Sequence, residues 1–190
     1  MRKQKWYREL ETEIERLKQT DQELIILAID GSSAAGKTTL AERLAARYDA
    51  QLFHIDDFFL PVEQRTEERL AAVGEFFDKE RLLAEVLEPL QTGQPVIFRK
   101  FDCVTQSFSP PQLAEKKRIV IIEGVYSLHP DLRKFYDLQL FLYVGRAEQI
   151  RRLQARNPEK LDQYLEDWLP REECYFNKYN FRQKNYILES

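Results

Sequence analysis

Eight consecutive residues constrain this chain more than any others: Gly31-Ser32-Ser33-Ala34-Ala35-Gly36-Lys37-Thr38. They follow an unbroken apolar run, Leu24–Ile29, and precede a segment striped by Leu40 and Leu44. A continuous apolar run suits a strand buried on both faces, and the stripe suits a helix. The octet therefore joins a strand to a helix, the context in which G-x-x-x-x-G-K-S/T carries meaning. Gly31 and Gly36 let the backbone turn and approach an anion closely. Successive N–H groups then converge at a helix N-terminus, forming a concave anion site. Lys37 adds a full positive charge for β- and γ-phosphates, and the Thr38 hydroxyl suits Mg²⁺. The expected nucleotide-binding residues are Gly31, Ser32, Ser33, Ala34, Ala35, Gly36, Lys37, Thr38 and Thr39. The loop points to a nucleoside triphosphate and leaves open what is done with it.

The rest of the chain alternates in the same way. Residues 5 to about 20 place Trp6, Leu10, Ile14 and Leu17 on one helical face. Short apolar runs at Leu52–Ile55, Ile119–Ile122 and Leu138–Val144 read as strands, and Asn185–Leu188 as a last one. Thr38–Tyr48, Arg81–Leu90 and Arg146–Arg156 read as helices, with Thr92-Gly93 ending the second. Such alternation predicts an α/β fold: a three-layer α/β/α P-loop NTPase with a mostly parallel sheet of about five strands. Residues 1–20 are expected as an amphipathic helix packed on the body. Residues 21–190 are expected as one domain with a helical lid at about 152–172.

Composition narrows the function classes. The 190 residues are 43% hydrophobic and 32% charged with a net charge of −3, a globular balance that argues against a nucleic-acid partner. No run approaches the roughly 18 apolar residues of a membrane helix. The two cysteines, Cys103 and Cys174, lack zinc or disulfide-framework spacing and read as free thiols in a reducing cytoplasm. Asn177-Lys178-Tyr179-Asn180 lacks the closing Asp of a guanine-reading motif and does not follow an apolar strand. His54 and His129 read as packed residues.

Two strand ends carry carboxylates where ligands of open α/β sheets bind. His54-Ile55-Asp56-Asp57 ends one strand, and Ile122-Glu123-Gly124 ends another. A hydroxyl is a weak nucleophile at its ordinary pKa, and a carboxylate within reach can orient it and take its proton. Asp56 is the candidate base, close enough to the phosphates to serve the metal shell as well. Glu123 and Thr38 are the candidate Mg²⁺ ligands, since Mg²⁺ favours oxygen donors. Asp57 reads as a turn or cap residue. Arg152 and Arg156, four apart on one helix face, are candidates to stabilise charge on a transferring phosphoryl group.

In this order the motifs resemble the uridine kinase and phosphoribulokinase superfamily, through most of residues 24–156. Ile55-Asp56-Asp57-Phe58-Phe59 is similar to the family's Asp-x-Phe-Tyr/Phe segment, and nicotinamide riboside kinases carry a similar Asp-Asp-Phe-Phe. Phe77-Asp78 resembles the pair that opens a family helix. Phe101-Asp102-Cys103-Val104 resembles a Tyr-Asp-Phe-Val segment that contacts nucleoside, and Ile122-Glu123-Gly124-Val125-Tyr126 resembles the segment after the central strand. The resemblance implies a base role for Asp56, an acceptor pocket including Phe59 and Tyr126, ribose contact by Asp102 and a lid position for Arg156. The chain departs from that pattern at Thr105-Gln106-Ser107-Phe108, where uridine kinases carry a His-Ser-Arg type run, and in the lid.

The expected function is transfer of the γ-phosphate of ATP, with Mg²⁺, to a hydroxyl of a small molecule such as uridine. Nicotinamide riboside, another hydroxyl metabolite, or use as an NTP-driven regulatory ATPase are the alternatives. Trp168 and the tyrosines at 164, 175 and 179 could close the adenine side or pack the C-terminal segment. That segment and the N-terminal helix could each bury against a second copy.

Overall fold

The computed structural model describes residues 2–181 and 187–189, with side chains from Trp6 to Phe181. Nine strands occur among them: β1 (Ile25–Gly31), β2 (Gln51–His54), β3 (Ile97–Phe98), β4 (Phe101–Asp102), β5 (Ser107–Phe108), β6 (Gln112–Leu113), β7 (Ile119–Glu123), β8 (Leu138–Tyr143) and β9 (Ile187–Glu189). Five form one parallel sheet in the order β2-β7-β1-β8-β9, and β3–β6 make two short antiparallel ladders beside it. The last expected strand is present at 187–189, and residues 185–186 lie outside the described residues.

β1 is buried at every position, as its unbroken apolar run requires. Its side chains alternate between two cores. Ile26 and Ala28 face one with Phe53, Val120, Ile122 and Phe141. Ile25, Leu27 and Ile29 face the other with Leu10, Ile14 and Leu17 of α1 (Arg2–Lys18) and Leu40 and Leu44 of α2 (Lys37–Tyr48). On the first side lies α4, a continuous run of Lys79–Leu82, a π turn at Leu83–Leu87 and Glu88–Thr92, after the short α3 (Glu67–Ala71). Gly93 ends α4 in the left-handed region.

After α5 (Arg146–Arg156), a 3₁₀ turn at Pro158–Lys160 leads into α6. This helix is built from Leu161–Gln163, a π turn at Tyr164–Trp168 and Leu169–Lys178. Its last segment buries Leu169, Glu172, Tyr175 and Phe176. No helix among the described residues is long and apolar enough to cross a membrane.

Candidate active site

The site forms at the carboxyl ends of β1, β2 and β7. Gly31 has φ 135°, and a β-carbon there would lie 1.8 Å from the Leu142 carbonyl oxygen, so only glycine lets the loop leave β1 this close to β8. Gly36 caps α2 from the left-handed region without a side-chain cap, and the first amides of a helix have no intrahelical acceptor. Lys37 is buried, with Nζ donating to the carbonyls of Gly31 (2.9 Å) and Ser32 (3.0 Å). Arg152 donates to the Ala34 carbonyl at 3.1 Å and to Glu148 at 2.7 Å. It braces the loop through a backbone oxygen. Arg156 is exposed and does not line the cavity described below.

Sheet register assembles the carboxylates. His54 pairs with Glu123 across β2 and β7, and the two side chains meet: Glu123 Oε1 lies 2.6 Å from His54 Nδ1 and accepts from Thr38 Oγ1 at 3.2 Å. Glu123 holds the His54 pKa above its ordinary value, against partial desolvation. His54 is therefore a partner of the site and not a packed strand residue. The chain leaves β2 at His54 for a 3₁₀ turn, Ile55–Phe58. In a regular strand His54 and Asp56, two residues apart, would share a face; the 3₁₀ turn begins between them.

Gly124 makes this approach possible: with φ 139°, a β-carbon would stand 2.6 Å from Ile55 Cβ. Asp56 opens into the cleft among Lys37, Glu123 and His54; enclosure by the walls raises its pKa and the Lys37 charge lowers it. Asp57 turns outward to Lys100 at 3.0 Å, and its carbonyl accepts from buried Arg81.

Beside Asp56 lies a cavity of about 300 Å³. Ser33 of the glycine loop and Glu172 line it together with Phe59, Phe76, Tyr126 and Trp168. Trp168 packs edge-on against Phe59 (5.4 Å) and Phe76 (5.3 Å) and lines this cavity. Tyr126, at φ 79°, stacks on Phe77 at 5.7 Å, and burial pushes its phenol pKa up. Asp102 does not line the cavity: its carboxylate accepts from the Val104 (2.7 Å) and Thr105 (3.2 Å) amides of its own hairpin tip, which lowers its pKa. Its neighbour Cys103 lines the cavity instead.

Two buried acids escaped sequence reasoning. Asp30 accepts from the Gly31 amide (2.6 Å), the Leu128 amide (2.9 Å) and Tyr175 Oη (2.8 Å); desolvation raises its pKa to about 6. Glu172 bonds to Ser33. Asp30 sits directly before Gly31, which was a usable signal; Glu172 lies 139 residues from its partner and had none.

A parallel sheet with this loop between its central strand and a helix, facing carboxylates on the neighbouring strand ends, defines a P-loop α/β nucleotide-binding protein. Residues 26–186 match the model of the phosphoribulokinase / uridine kinase family, and the chain belongs to that family. Uridine kinase-like protein 4 of Arabidopsis thaliana is 28% identical over 158 residues, covering 75% of this chain and 33% of that protein. A probable uridine-cytidine kinase of Caenorhabditis elegans is 26% identical over 161 residues, covering 76% and 62%. The chain thus spans a third to three-fifths of the length of these relatives. The structure of a possible uridine kinase from Bacillus stearothermophilus superposes with a TM-score of 0.70 over all of both chains at 20% identity, a likeness of fold.

Proposed function

We propose that this protein is an ATP-dependent kinase that phosphorylates a hydroxyl of a small molecule, in first place the 5′-hydroxyl of a ribonucleoside such as uridine. One observation carries the reading: Asp56 and Ser33 of the phosphate loop line the same aromatic-walled cavity. A hydroxyl held there lies between a proton acceptor and the loop that cradles the triphosphate. Asp56 takes the proton as the hydroxyl oxygen bonds to the γ-phosphorus; the γ-phosphorus–oxygen bond to the β-phosphate breaks, and its electron pair leaves with ADP. Lys37 and the amides of residues 31–39 bind the phosphates. Thr38 and Glu123, adjacent through oxygen atoms, and Asp56 form an oxygen-only donor set that suits Mg²⁺. Bound there, Mg²⁺ would neutralise phosphate charge. Phe59, Phe76 and Trp168 offer flat apolar surfaces to a base, and the names of the relatives support a nucleoside acceptor. Arg152 and Arg156, on the last turns of α5, are the candidates for a cation that stabilises charge on the transferring group.

The test is an acceptor panel with ATP and Mg²⁺, read by product mass. A phosphorylated nucleoside supports the reading; ATP hydrolysis indifferent to every alcohol offered refutes it.

A further inference from the structure

Glu172 is a carboxylate with little reason to be where it is unless it acts on the phosphate loop. It is 3% exposed. Its Oε2 accepts from the Ser33 amide at 3.0 Å and from Gln149 Nε2 at 3.2 Å, and its Oε1 accepts from the Ser33 hydroxyl. Gln149 also donates to the Ser33 carbonyl at 3.1 Å, so α5, α6 and the loop meet at one residue. Burying a carboxylate is costly, and three donors are the usual means of holding one.

The amides of such a loop converge on phosphate oxygens. Ser33 is the third residue of the octet and lies at the end of the loop that opens into the cavity with Asp56. That end faces the outermost phosphate if the acceptor hydroxyl is to reach it. Glu172 on Ser33 and the terminal phosphate of a triphosphate then place two anions at one amide, and like charges at such distances in a poorly hydrated site repel strongly. A diphosphate leaves that end of the loop alone.

We propose that Glu172 is a positioning residue that senses the terminal phosphate: it holds Ser33 until a nucleoside triphosphate displaces it, and ADP does not displace it. This rests on the nucleotide-binding reading above. The sensor has a readout built in. α6 carries Gln163 and the π-turn residues Tyr164 and Trp168 into the cavity wall, with Trp168 four residues before Glu172. Tyr175 stays tied to Asp30 one turn further on. Displacing Glu172 therefore shifts the acceptor wall about a fixed pivot, and the cavity responds to the charge state of the donor.

The experiment measures dissociation constants for ADP and for a non-hydrolysable ATP analogue, with Mg²⁺, in the full chain and in Glu172→Gln and Glu172→Ala. The expected result is analogue binding about tenfold tighter in both variants with ADP affinity changed by less than about twofold, since only the triphosphate meets the carboxylate. A brace without a sensing role would change both nucleotides alike, so equal shifts, no shift, or weaker analogue binding overturns the inference. Wild-type chain that binds neither nucleotide refutes the nucleotide site itself and takes this inference with it. Trp168 fluorescence in a Trp6→Phe background supplies the second measurement: the analogue should alter it and ADP should not. The same change with both ligands counts against the sensor.

Discussion

Asp56 and Gly124 show how much one residue can decide here. Asp56 opens into the cleft beside the phosphate loop, and Asp56→Asn keeps nearly the same shape while removing the proton acceptor. Transfer should fall by about 10² or more while ATP binding stays within about twofold, checked by turnover and calorimetry on the same samples. Enclosure raises its pKa, and the base must be ionised to work. The rate should therefore fall on acidification at a pH above the ordinary aspartate value, and Asp56→Asn should lose that acid limb. Gly124→Ala tests the backbone: a β-carbon 2.6 Å from Ile55 Cβ at φ 139° forces β7 and the Asp56 turn apart. Roughly 2–4 kcal/mol of stability should be lost, read by urea titration.

Residues of this kind were legible to unequal degrees. The loop could be read because its spacing is its mechanism. Asp56 and Glu123 could be read because strand ends are where ligands bind. His54 was misread as a packed residue, although residues two apart in a strand share a face and its spacing from Asp56 already pointed to the site. Asp102 was misplaced because a hairpin tip can satisfy a carboxylate with its own amides, and nothing in its four-residue neighbourhood reveals which way it turns.

Among the elements, α6 carries the most consequence. Its inner face presents Glu172 and Tyr175 one turn apart to the loop and to the strand that feeds it. Tyr175→Phe removes a hydrogen bond to a buried acid and should cost about 1.5–3 kcal/mol. Asp30 gives this contact a pH dependence. Its pKa rises from 3.8 to about 6 on folding, so the protonated form is favoured in the native state. Stability from this group is complete below the unfolded value, declines between the two, and is lost above about 6. The loss is of order 3 kcal/mol by the shift. Thermal melts across that interval should show it, and Asp30→Asn should flatten the curve. α1, α2 and α4 were legible from their stripes, whereas α6 was expected only as part of a helical lid at about 152–172, and the π turns in α4 and α6 were not legible.

At the scale of the whole molecule, the sheet is roofed on one side by α1 and α2. Ile14 of α1 is fully buried against β1 and its neighbours, and a side chain of that size contributes about 2–3 kcal/mol. Removing residues 1–20 strips Leu10, Ile14 and Leu17 together, and the truncated chain should aggregate or melt far below the full one in differential scanning fluorimetry. The parallel sheet and its layers were legible because fully apolar runs separated by amphipathic segments admit few other arrangements. Which helix would lean on the loop was not, because that depends on contacts between distant parts of the chain. Ser33 meets Glu172 across 139 residues, and Asp30 meets Tyr175 across 145. A ribosome that has released only the first two-thirds of this chain has made the phosphate loop but not Gln149, Glu172 or Tyr175. The cavity beside the loop thus waits for the late-synthesised helix, which supplies Gln163, Tyr164, Trp168 and Glu172 to its wall.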